Sequence, residues 1–215
     1  MKVDTQGLPP AAGPPATPNA GAAAPEVPLL NIANMLTMLR IALVPVFTVL
    51  LVHDHGTSTA WRLAAAAVFV AASVTDRFDG ELARKRGLVT DFGKIADPIA
   101  DKALMGAALI SLSALGELWW WVTIVILVRE LGITVLRFWV IKHGVIAASR
   151  GGKLKTLLQA MAIFAYVLPF GSGSGGAGWL TAIAATIMAA ALVATVVTGV
   201  DYVLRALALR RASHE

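Results

Sequence analysis

The chain has 215 residues, of which 57% are hydrophobic and 14% charged, and its mean hydropathy is +0.73. No soluble domain of this length needs so much apolar surface, so the composition excludes a soluble enzyme and indicates an all-α protein crossing a membrane several times. Lys and Arg outnumber Asp and Glu 18 to 13, an excess suited to loops facing anionic lipid and not to nucleic acid, and the absence of Cys excludes disulfide and thiolate chemistry.

Residues 1–28 are rich in Pro, Ala and Gly and have no apolar run, so they read as a disordered tail rather than a secretory leader. An interfacial segment, Leu29 to Thr37, leads into a first span over about Met35 to Val52. Asn34 and Thr37 lie one turn apart at its start, where either could cap the helix. Arg40, a turn further in, reads as an interface residue that snorkels to water. A second span runs from about Trp61 to Phe78. Its apolar part, Leu63 to Thr75, is too short to cross roughly 30 Å of hydrocarbon alone. The polar end that completes it must face protein, ions or water. The third span, about Ile95 to Leu115, also has a polar first half, so both open onto one wet cavity.

The fourth span, about Leu118 to Ile141, starts with the aromatic belt Trp119-Trp120-Trp121 and contains Arg129, Glu130 and Arg137. Arg129 and Arg137 are two turns apart and roughly share a face. They form either a structural ion-pair knot or an anion pocket. Lys142 to Lys155 reads as a basic, Gly-containing loop, followed by a fifth span, about Leu157 to Phe170, and a sixth, Trp179 to about Leu204. The expected organisation is a tail, 1–28, a membrane domain of six transmembrane helices, 29–205, and a cytoplasmic C-terminal tail, 206–215. His53, His55 and His214 have no metal-ligand spacing. With the N-terminus cytoplasmic, the inner loops carry Arg84, Lys85, Arg86, Lys142, Arg150, Lys153, Lys155, Arg205, Arg210 and Arg211, and the outer loops essentially only Arg62. That orientation places the polar cavity on the cytoplasmic side of a multi-pass cell-membrane protein.

The cavity's chemistry lies in the stretch Asp76-Arg77-Phe78-Asp79-Gly80-Glu81-Leu82-Ala83-Arg84, continued by Gly93, Asp97 and Asp101. Asp76 and Asp79 are three apart and Asp97 and Asp101 four apart, so on helices each pair shares a face. Four carboxylates brought to one point repel unless cations neutralise them, and an oxygen-only donor set favours Mg²⁺ or Mn²⁺. Gly80 and Ala83 remove bulk beside the acids, and Arg84 offers a fork for phosphate. A divalent-cation transporter is the alternative from another class. It would distribute acids through the membrane depth, whereas here they cluster at one face.

The pattern D-x2-D-G-x2-A-R-x8-G-x3-D-x3-D, complete in Asp76, Asp79, Gly80, Ala83, Arg84, Gly93, Asp97 and Asp101, resembles the signature of the CDP-alcohol phosphotransferases. The resemblance spans about Asn31 to Gln159. It implies a metal-dependent transferase in which Asp76, Asp79, Asp97 and Asp101 hold two divalent ions and Asp101 is the base. It implies further that Asn34, Thr37, Gly80, Arg84 and Thr90 contact the CDP-lipid. Family members are commonly homodimers, although no small-xxx-small seam in this chain shows one independently.

Arg129-Glu130, Arg137 and the stretch Gly152 to Thr156 are similar to the members that join CDP-diacylglycerol to sn-glycerol 3-phosphate, releasing CMP and forming phosphatidylglycerophosphate. A phosphorylated acceptor needs a cationic pocket, which Arg129, Arg137, Lys153 and Lys155 could supply. A cardiolipin synthase of the same fold, with phosphatidylglycerol as acceptor, and a phosphatidylinositol phosphate synthase are the rival readings.

Overall fold

The structure, a computed structural model, describes residues 31–86, 90–140, 150–169 and 178–212. Among these it is all-helical: α1 (Ile32–Val52), α2 (Thr59–Arg86), α3 (Asp91–Ala114), α4 (Trp120–Val140), α5 (Arg150–Val167) and α6 (Gly178–Ala212), with one 3-10 turn, His53–Gly56, after α1. The expected tail, 1–28, lies outside the described residues. Helix α6 continues to Ala212, so most of the expected C-terminal tail extends that helix.

The helices form two groups. Helix α1 packs on both α2 and α3, while α6 packs on α4 and α5; α2–α5, α3–α4 and α3–α5 contacts join the groups. The shared core includes Phe47 and Leu51 of α1, Phe69 of α2, Leu104, Leu109 and Leu112 of α3, Ile126 of α4, Ile163 and Val167 of α5 and Met188 of α6. The Phe47 and Phe69 rings lie 5.8 Å apart, centroid to centroid. The outside is equally apolar: Val128, Val135, Val193, Val197 and Leu204 are exposed, as are Trp119, Trp120 and Trp121. An apolar exterior around a core that also encloses polar side chains suits lipid better than water. Among the described residues, two helical stretches, Asn34–Gly56 and Gly178–Ala208, are long and apolar enough to cross a membrane. Thr59–Thr75 and Leu154–Val167 are shorter apolar helices.

Arg62 does not sit in an outer loop as expected. Its side chain is 1% exposed and binds Glu117 through both terminal nitrogens, Nη2 to Oε2 at 2.9 Å. It also donates to the carbonyls of Gly56 (3.0 Å), Val167 (3.1 Å) and Tyr166. Two turns are built to feed this knot. At the α1–α2 connection Asp54, His55 and Gly56 all take positive φ, which turns the Gly56 carbonyl to Arg62. At the end of α3, Gly116 at φ +77° lets the Glu117 N–H return to the Leu112 carbonyl at 3.0 Å, delivering the carboxylate. One guanidinium thus ties α2 to both turns and to the end of α5.

The basic segment also differs from expectation. Arg150 to Lys155 are helical, forming the first turns of α5. Gly151 and Gly152 resemble loop punctuation in sequence, but helix N-termini tolerate glycine, and a buried ion pair at Lys155 fixes the turn that follows.

Candidate active site

Helices α2 and α3 are joined by a short connection and contact each other. Asp76 lies ten residues before Arg86, the end of α2, and Asp101 ten residues after Asp91, the start of α3. Each is therefore about 15 Å along its helix from the connection. Asp79 and Asp97, seven and six residues away, are each about 10 Å along. Counted from the connection, the four positions are thus matched in pairs along the two helices. The side chains of Asp76, Asp79, Arg84 and Asp97, and the Gly80 position, lie outside the described side chains. Asp101 is partly buried. A donor set of four carboxylates at matched depths on adjoining helices fits hard divalent cations.

Helix α1 supplies the third wall. Its cap is Asn31, whose Oδ1 accepts from the Asn34 N–H at 3.0 Å, so neither Asn34 nor Thr37 acts as the cap. Both lie on the face that α1 turns inward, at 2% and 1% exposure. Thr90, immediately before α3, donates from Oγ1 to Asn34 Oδ1 at 2.9 Å. The structure therefore brings together three residues that the sequence assigned to the CDP-lipid on two separate segments. It adds a fourth that the sequence misread: Arg40 does not snorkel but is 1% exposed, on the same inward face. The signal for it was its spacing, since 34, 37 and 40 are successive steps of three along one helical stripe.

The expected acceptor residues divide. Lys155, 5% exposed, forms an ion pair with Glu130 Oε1. The same carboxylate oxygen is 3.3 Å from Arg129 Nη1. Arg129 also reaches across to α6, donating to the Thr195 carbonyl at 3.1 Å and to Thr198 Oγ1 at 2.8 Å. Gly199 gives that approach room, because a Cβ there would stand 3.1 Å from Arg129 Cγ, closer than ordinary contact. Gln159 of α5 donates to Thr195 Oγ1 at 2.9 Å, so one polar network links α4, α5 and α6. Helix α3 contacts both α4 and α5, which places this network beside the acid-bearing helix. The side chains of Arg137 and Lys153 lie outside the described residues.

Among the described residues, apolar-surfaced helices that carry two carboxylate pairs on adjoining helices define a membrane-associated protein suited to divalent cations. The family of CDP-alcohol phosphatidyltransferases matches residues 30–197, and the chain belongs to it. It is 54% identical over 192 residues, 89% of each chain, to a probable phosphatidylglycerophosphate synthase of Mycobacterium tuberculosis strain H37Rv. Two CDP-diacylglycerol–glycerol-3-phosphate 3-phosphatidyltransferases are also similar. The one from Bacillus subtilis strain 168 is 42% identical over 65% of this chain and 78% of its own length. The one from Rickettsia typhi is 38% identical over 80% of this chain and 94% of its own.

Proposed function

We propose that this chain makes phosphatidylglycerophosphate, transferring the phosphatidyl group of CDP-diacylglycerol to sn-glycerol 3-phosphate with release of CMP. The observation that carries the reaction is the depth-matched set Asp76, Asp79, Asp97 and Asp101 on α2 and α3. The acceptor rests on the names of the relatives and on the basic network of α4 and α5 beside α3. In this reading the six helices span the cell membrane with the site at the cytoplasmic face, and the protein works as a homodimer.

Asp76, Asp79, Asp97 and Asp101 would hold two Mg²⁺ or Mn²⁺ ions. Such ions, when bound, neutralise the pyrophosphate and stabilise the departing CMP. Asn34, Thr37 and Thr90 line the nucleotide side with neutral donors and acceptors. Gly80 leaves room beside the acids, and Arg84 pairs with donor phosphate. The acceptor's hydroxyl oxygen attacks the phosphorus bearing the lipid, its proton passes to Asp101, and the bond to CMP breaks. Divalent ions bound beside Asp101 would make it a weaker base, and would supply the charge that acidifies the acceptor hydroxyl. Arg137, Lys153 and Lys155 gather around the acceptor phosphate. Arg129, whose donors already engage α6 and Glu130, braces that pocket.

An acceptor screen tests this. Purified protein with CDP-diacylglycerol and Mg²⁺ should release CMP with glycerol 3-phosphate and not with serine, inositol phosphate or phosphatidylglycerol. Asp97→Asn should abolish release while leaving the protein folded, since a neutral amide cannot compensate two cations. Preference for another acceptor refutes the assigned product, and near-normal turnover in Asp97→Asn refutes the metal site.

A further inference from the structure

Arg40 has no place in the chemistry above, yet it is among the largest fully buried side chains of the protein. Helix α1 contains no acid of its own. A guanidinium enclosed among apolar helices is strongly unfavourable without a counter-charge. The depth of Arg40 identifies which acids can supply one. The Thr90–Asn34 hydrogen bond sets Asn34 level with the start of α3. At the other end, Gly56, just after α1, lies against Leu115, just after α3, so the two helices run side by side in the same direction. Arg40 is six residues beyond Asn34, about 9 Å, and Asp97 is seven beyond Thr90, about 10 Å. Asp79 shares that depth on α2, and Asp101 lies one turn deeper on α3. The other acids of these helices are placed less well. Asp91 sits at the very start of α3, and Glu81 is on the side of α2 opposite Asp79.

We propose that Arg40 is a positioning residue for the carboxylate cluster, its guanidinium reaching from α1 to hold the acids of α2 and α3 in the orientation that accepts divalent ions. A planar fork fixes a carboxylate's plane and leaves its second lone pairs directed into the cavity, as a point charge cannot. Arg40 also closes the stripe Asn34-Thr37-Arg40, so one helix carries both nucleotide contacts and the support of the acids. This rests on the metal-site reading above.

The test is direct Mn²⁺ binding, followed by the electron paramagnetic resonance of free Mn²⁺, on the full-length protein, its Arg40→Gln and Arg40→Lys variants and Asp97→Asn. Loss of an outer partner of a metal ligand weakens binding by about 10–100-fold. Arg40→Gln is expected to show that loss, with the Mg²⁺ concentration for half-maximal CMP release raised in step and the rate at saturating Mg²⁺ within a few-fold of the parent. Arg40→Lys, which keeps the charge, should fall in between and carries the test alone if the glutamine variant does not fold. Parental Mn²⁺ affinity in Arg40→Lys, or in a folded Arg40→Gln, overturns the proposal, and a fall in melting temperature alone makes Arg40 a plain strut. Asp97→Asn distinguishes the two levels: parental Mn²⁺ binding there defeats the metal-site reading itself.

Discussion

Replacing Arg62 by alanine isolates the knot at the end of the bundle away from the acids. The change removes both nitrogens from Glu117, whose side chain is 14% exposed, and leaves the Gly56, Tyr166 and Val167 carbonyls without this donor. Breaking a buried pair from one side destabilises by about 3–5 kcal/mol, because the remaining charge stays in place uncompensated. For a chain of this size each kcal/mol moves the melting temperature by about 2–4 °C, giving a fall of about 6–20 °C. Glu117→Gln retains an acceptor for Arg62 and should lose less, about 1.5–3 kcal/mol. The double variant Arg62→Met/Glu117→Leu buries no orphan charge, so its loss should be well below the sum of those of Arg62→Met and Glu117→Leu measured singly. Asp76 lies fourteen residues along α2 from Arg62, about 21 Å, so KM for both substrates should be unchanged in whatever protein folds. The assay is thermal unfolding in detergent micelles, paired with CMP release. A melting temperature within about 3 °C of the parent, or strict additivity in the double variant, would refute the reasoning.

Donor and acceptor recognition should separate. Arg137→Ala is expected to raise KM for glycerol 3-phosphate about ten- to a hundred-fold with little effect on CDP-diacylglycerol, and Arg84→Ala to do the reverse. Lower yield with both KM values unchanged would instead make Arg137 a brace. Gly199→Ala should destabilise by about 1–3 kcal/mol, since its Cβ would meet Arg129 Cγ at 3.1 Å and push the guanidinium off Thr198. Gly132→Ala, where a Cβ meets nothing within 4 Å, should be neutral or stabilising, and equal melting temperatures for the two variants would contradict this account.

The helices that carry the candidate acids were legible in sequence because that information is local. Residues three and four apart must share a helical face wherever the helix packs, so the pairing of Asp76 with Asp79 and of Asp97 with Asp101 needs no tertiary knowledge. Helix locations followed for the same reason. Single cations were not legible. Arg40 and Arg62 each look like an interfacial charge, and only the packing of α1 on α2 and α3, and the meeting of two turns with α5, encloses them. The start of α5 was missed because Gly151 and Gly152 have the composition of a loop, while the partner that buries Lys155 lies 25 residues earlier in the chain. The cap of α1 was missed by one turn because Asn31 and Asn34 offer the same chemistry.

The enclosure of Arg40 also bears on how the protein is made. In the six-span reading, α1 leaves the ribosome before α2 and α3 exist, and at that moment its arginine has no carboxylate to meet. A lone arginine at the very centre of an inserting helix costs about 2.5–3.5 kcal/mol on the scale of the insertion machinery, an upper bound for Arg40, which lies six residues into its span. Twenty-three residues of strongly apolar sequence, Asn34–Gly56, can carry that load. The apolar run Thr59–Thr75 of α2 is shorter and ends in acids, so its entry is favoured when α1 already waits in the bilayer with a matching cation. Assembly of the reaction centre and integration into the membrane would then be the same event, and a fault in one would surface as failed biogenesis before it could surface as a slow enzyme.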